Sequence, residues 1–100
     1  MVKIIIWQKK AILKVEQIAT YLEEEYSEQS AEKFIKSVYA TIEKIKTHPS
    51  RGRKVSSKKT IQFMNIGKFH QLFYRTKGTK LYILDLFDLR QNPDKRPFSN

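Results

Sequence analysis

The stretch Ile61–Leu89, IQFMNIGKFHQLFYRTKGTKLYILDLFDL, decides the fold. It divides into three β-like runs, Ile61 to Ile66, Phe69 to Arg75 and Lys80 to Leu89, rich in the aromatic and branched residues that suit a pleated surface. The breaks between them hold Gly67-Lys68 and Lys77-Gly78, and glycine supplies the positive φ of a tight turn without a Cβ clash. Runs joined this closely form an antiparallel meander. In the third run Leu81 to Leu84, then Leu86 and Phe87, are apolar on both parities, which makes it the central strand of the expected sheet.

Upstream the hydrophobic period changes. Ile12, Val15, Ile18, Ala19, Leu22 and Tyr26 recur at helical spacing with Lys and Glu between them, which predicts a helix from about Lys9 to about Tyr26. Ser27 is the N-cap of a second helix whose apolar stripe is Ala31, Phe34, Ile35, Val38, Ile42 and Ile45. That helix stops near His48, because Pro49 disfavours the helical conformation of the residue before it. So short a connection makes the pair an antiparallel αα-hairpin. The opening Val2 to Trp7 reads as a short strand buried on both faces. From Pro49 to about Lys59 only Val55 is apolar, so Ser50-Arg51-Gly52-Arg53-Lys54 reads as a surface loop. The tail beyond Arg90, with Pro93 and Pro97, is expected to be irregular. The expected architecture is α+β in the order β-α-α-β-β-β, an αα-hairpin packed on one face of an antiparallel sheet. A chain of 100 residues supports one domain, spanning residues 1–100.

Composition narrows the function. The chain is 40% hydrophobic, enough for a packed core, and has no cysteine, so neither a disulfide framework nor a thiolate metal site is available. A cytoplasmic protein is the simplest reading. Met1 to Ile6 are apolar apart from Lys3, but Gln8, Lys9 and Lys10 end the run well short of a signal peptide, and nothing targets a membrane. There is no glycine-rich phosphate loop and no metal-ligand spacing, so no cofactor is expected. The net charge of +10 is unevenly distributed. Up to Ser50 eight bases face seven acids, a net of +1; from Arg51 onward twelve bases face only Asp85, Asp88 and Asp94, a net of +9. Such a concentration points to a polyanionic partner, either nucleic acid or an acidic polypeptide, rather than to a merely solvated surface.

Particular residues then match a known family. Trp7 closing the first strand, Ala31 in the first turn of the second helix, the Pro49…Gly52 pair, the segment Gly67 to Arg75, and the closing Phe87-Asp88-Leu89-Arg90-Gln91-Asn92-Pro93 resemble landmarks of the RelE/ParE superfamily of toxins, on its ParE-like branch. The resemblance covers almost the whole chain. It implies the toxin half of a bacterial type II toxin–antitoxin pair, bound by a cognate acidic antitoxin whose flexible segment covers the basic surface. RelE-type members cleave messenger RNA on the ribosome without metal, whereas ParE-type members poison DNA gyrase and are not hydrolases.

The RNA-cleaving chemistry needs groups that move a proton and stabilise charge on the phosphorane. By resemblance Arg90 matches the arginine that contacts the scissile phosphate, and Lys58 and Lys59 lie near the family's basic residues. The family arginine three residues before the strand tyrosine falls on Gln71, since Tyr74 fixes the register; glutamine can hydrogen-bond a phosphate but adds no charge. The C-terminal base-stacking tyrosine has no counterpart beyond Phe98. These departures favour the ParE-like, non-hydrolytic reading, with Gln71, Arg75, Arg90, Lys95 and Arg96 as partner-binding candidates. A basic nucleic-acid-binding module without toxicity is the reading from another class.

Other readings are structural. His70 alternates with Leu72 and Tyr74, toward the helix-covered face, and His48 sits at a helix C-terminus. Asp85 and Asp88, on odd and even positions of one strand, face opposite ways and form no dyad. Phe69 and Phe73 are weighed as base-stacking surface against core packing, which is the commoner role. Arg90 itself is weighed between contacting a partner and pairing with Asp88 or Asp94.

Overall fold

Strands β1 (Ile4–Trp7), β2 (Arg53–Lys54), β3 (Gln62–Ile66), β4 (His70–Lys77) and β5 (Lys80–Asp88) build one sheet in the order β1-β5-β4-β3-β2, with helices α1 (Lys9–Glu25) and α2 (Glu28–Thr47) as a hairpin. The coordinates are a computed structural model that describes residues 2–91 and 93–98; Met1, and Asn92 of the closing segment, lie outside them. Gly67 and Gly78 adopt φ of 61° and 60°, as their turns require. The Ser27 hydroxyl caps α2 by accepting from the Ser30 N–H at 3.1 Å. Among the described residues no helix is long and apolar enough to cross a membrane.

The sheet is mixed rather than antiparallel. β1 runs parallel to β5, with Ile4 opposite Lys80 and Trp7 opposite Ile83, and the Gln8 N–H continues the pairing to the Ile83 carbonyl. A lone strand's composition does not encode direction; here direction follows from α1, which starts where β1 ends and must pack back over the sheet. β1 is also an edge, so Ile4 is 48% exposed and the expected burial on both faces is corrected. A second correction lies in the presumed loop, where Arg53 and Lys54 pair with Phe63 and Gln62 as a two-residue outer strand.

β5 owes its double-sided apolar pattern to an irregularity. Phe73 stands opposite Asp85 and Tyr74 opposite Ile83, which leaves Leu84 as the extra residue of a bulge. The shift lets Leu81, Ile83 and Leu86 all join the core beneath the helices, with Leu72, Tyr74, Phe34, Val38 and Ile45. Leu84 and Phe87 turn to the other face, where Val55, Ile61 and Phe73 form a second, smaller cluster. Along the helices Ile12, Ile35 and Tyr26 lie at the margin of their stripes and are exposed, Tyr26 at 61%.

Candidate functional site

Three landmark residues turn out to be one structural unit. The buried Tyr74 hydroxyl donates to the Pro49 carbonyl at 2.7 Å and accepts from the Gly52 N–H at 3.0 Å, tying the turn after α2 to β4. Any Cβ at Gly52 would fall on that hydroxyl, so glycine is required there for space rather than for its φ. Gln62 adds a bond from Nε2 to the Gly52 carbonyl. This anchor fixes the scaffold and offers no reactive group to solvent.

At the end of the sheet where His70 begins β4 and Asp88 ends β5 stands a charged cluster. The Arg90 backbone N–H and Nε both donate to Asp88 Oδ1, at 2.9 and 3.0 Å, and Nη2 donates to Oδ2 at 2.9 Å. The guanidinium lies 4.6 Å from the Phe69 ring centre. His70, opposite Asp88 in the ladder, places Nε2 3.6 Å from Asp88 Oδ2, and its ring packs 4.8 Å from Phe34. Burial pushes the imidazole pKa down, against the pull of Asp88 and aided by Arg90. Burial alone would raise Asp88, but the hydrogen bonds and charge of Arg90 hold its carboxyl below the ordinary value. The same hydrogen bonds raise Arg90. The result is an ion pair beside a neutral, buried histidine, an arrangement that holds charge in place rather than moving protons to solvent.

Two clefts meet at this cluster, and Tyr26 and Arg90 border both. One, of about 440 Å³, is lined by the buried Leu22, Phe34 and Ile66 and by exposed Phe69, Lys33 and Lys68. The other, of about 540 Å³, runs between α1 and the chain after β5, past Lys14, Tyr21 and Lys95. Tyr21, Lys14, Lys33 and Lys68 escaped the sequence reading, and Phe69, for which core packing was the commoner role, is exposed and lies under Arg90 instead. Tyr26 is the last apolar residue of its helix stripe, the one signal that it could overhang the core.

The remaining candidates lie elsewhere. On the face away from the helices Arg96 donates from Nε to Gln71 Oε1 at 3.0 Å and stacks over Phe63 and Phe73, 4.8 and 5.1 Å from their centres. Phe73 is core, and Phe98 packs against it at 5.6 Å while its carbonyl accepts from the Ser57 hydroxyl, so neither offers a free ring to a base. Arg75 is half-buried and stacked over Tyr82 at 5.0 Å, with no hydrogen-bond partner for Nε among the described residues. Lys58 and Lys59 are exposed in the loop that enters β3 at the level of Tyr74, far along β4 from the His70 end where Arg90 sits. The structure thus joins Arg90 with Lys95 and Gln71 with Arg96, but does not bring Arg90 to Lys58 and Lys59. Asp85 is taken by Lys10, at 3.3 Å. Among the described residues no cluster of His, Asp or Glu could hold a metal ion.

The two-helix hairpin on a mixed sheet is a fold shared with solved toxin structures. It is similar to a chain of the chromosomal ParDE TA system from P. aeruginosa, with TM-score 0.75 and 14% identity over 89% of this chain and 98% of that one. It is also similar to the YoeB/ParE toxin from Agrobacterium tumefaciens, with TM-score 0.63 and 12% identity over 86% and 98%. A family model for the ParE toxin of the type II toxin–antitoxin system parDE matches residues 5–93, and the chain belongs to that family. No curated protein matches its sequence.

Proposed function

We propose that this chain inhibits bacterial growth as a non-hydrolytic poison of DNA gyrase and is held inactive by an acidic antitoxin. The observation that carries the reading is the state of Arg90. The arginine that would grip a scissile phosphate is closed on Asp88 by a bidentate pair, and the lysines that would assist it lie at another level of the sheet. Gln71, where the ribonuclease branch has an arginine, is buried beneath Arg96. The paired clefts suit the antitoxin: buried apolar walls for its anchors, with Lys14, Lys33, Lys68 and Lys95 around them for its carboxylates.

Induction in a bacterial host tests the mechanism. The expected outcome is the DNA-damage response with bulk messenger RNA intact, and loss of supercoiling activity when purified toxin is added to gyrase. Codon-phased cuts by primer extension soon after induction would overturn this reading in favour of a ribosome-dependent mRNA endoribonuclease using Arg90, Lys58 and Lys59.

A further inference from the structure

Positive charge stands at both ends of the sheet, but only at the β4–β5 turn is it clear of the apolar clefts that Arg90, Lys68 and Lys95 border. Lys77 and Lys80 face each other across the β4–β5 turn, and the Lys3 N–H bonds to the Thr79 carbonyl, so three lysines from three segments share that end of the sheet. Lys54 pairs with Gln62, and Gln62 with Tyr74, which sets Lys54 just on the same half, whereas Arg53, level with Phe73, stands on the other. All these side chains are exposed, and among the described residues none has a carboxylate partner. The glutamates Glu23, Glu24, Glu25 and Glu28 belong to the hairpin bend at the opposite end, where Tyr26 borders the Arg90 clefts. Glu43, near the C-terminus of α2, is paired with Lys46 at 3.4 Å.

Exposed apolar side chains follow the reverse distribution. Tyr21, Tyr26, Phe69 and Leu89 gather around the Arg90 end, whereas among the described residues the turn end itself carries Ile4, with Tyr39 against Trp7 further along β1. A protein partner needs apolar anchors at the heart of its interface, while a phosphate backbone needs only cations and donors. We infer that the β4–β5 turn end, through Lys3, Lys54, Lys77 and Lys80, contacts the phosphate backbone of duplex DNA, in the segment that gyrase holds while the toxin acts on it. The gyrase setting rests on the function proposed above; the DNA contact rests on this surface alone.

The test is binding of a labelled 30-base-pair duplex (length chosen to be about three turns) to purified toxin without gyrase, by fluorescence anisotropy across a salt series. Affinity should fall with salt at a log–log slope of about −3 to −5, as for release of counterions from a handful of phosphates. Lys77→Gln with Lys80→Gln should weaken binding about tenfold and flatten the slope by about 2. Lys3→Gln, on another segment, should flatten it by about 1, which guards against a misfolded turn; Lys36→Gln on α2 should leave it unchanged. Against gyrase, the double variant should bind the DNA-free enzyme as the parent does and the DNA-bound enzyme more weakly. Unchanged duplex binding by the double variant, or preference for single-stranded RNA of equal length, overturns the inference. Duplex binding without any effect on supercoiling would instead remove the gyrase reading and leave the DNA contact standing.

Discussion

The two ends of β5 carry positive charge in opposite ways. At the Asp88 end Arg90 is held by three hydrogen bonds to one carboxylate, over an aromatic ring and beside a buried histidine. At the Lys80 end exposed lysines face one another with no acid between them. A closed pair belongs to the fold and gives stability when intact, whereas open cations add nothing to folding and keep their charge for a partner. Of the two roles weighed for Arg90, the structure shows the pairing with Asp88, while the lysines of the other end have no carboxylate partner among the described residues.

The largest effect expected from this difference is that of Asp88→Ala. It leaves Arg90 without its acceptor and removes the only charge beside His70's orphaned Nε2 among the described residues that attracts a proton, at an expected loss of about 3 kcal/mol. Arg90→Ala should lose less, about 1–2 kcal/mol, because the arginine side chain is 34% exposed and its charge is screened. Urea unfolding with an unchanged m-value measures both. Negligible losses at both positions would return Arg90 to the role of a surface contact and erase the contrast between the ends.

Next in size is a dependence on pH confined to the Asp88 end. His70 is depressed below its ordinary 6.5, so its stabilising contribution is complete above that pH and is lost as pH falls through 6.5 toward the folded value. Asp88 is depressed below 3.8, so its share persists down to that pH and is lost as pH falls through its folded value. Arg90 stays charged throughout and opposes protonation of His70. Stability should therefore decline as pH falls below 6.5. His70→Leu should flatten that window while His48→Gln does not; an unaltered decline in His70→Leu would show that the histidine is not the sensor.

How much of this was legible in the sequence depends on whether the cause is local. Ser27, Gly67 and Gly78 announce a cap and two turns through their own backbone chemistry, and the α1, α2, β3, β4 and β5 boundaries followed from them and from periodicity. The direction of β1 depends on Lys80 to Ile83, far away in the chain, and left no local trace. Arg53 and Lys54 carry no strand pattern because an exposed edge pair needs none. The sequence narrowed Arg90's partners to Asp88 or Asp94, and the geometry of one turn chose Asp88. The clefts were hidden because Tyr21 and Tyr26 become neighbours of Arg90 only once the hairpin is docked.

The smallest effect is also the sharpest test of the contrast, because stability and binding should move in opposite directions. Lys77 and Lys80 are directly paired across the strands, and like charges in that position repel. Lys77→Glu converts the repulsion into an attraction between exposed groups, which screening limits to about 0.5 kcal/mol of added stability, or roughly 2–4 °C in Tm. The same change puts a negative charge where a phosphate is expected, so duplex DNA binding should fall by more than in Lys77→Gln. A variant that is slightly more stable and yet binds DNA less well is what an end of the sheet left open for a polyanion requires. If Lys77→Glu instead destabilises the fold by more than about 1 kcal/mol, beyond the usual range for a surface substitution, the lysines of this end are structurally engaged as Arg90 is, and the two ends of β5 do not differ in kind.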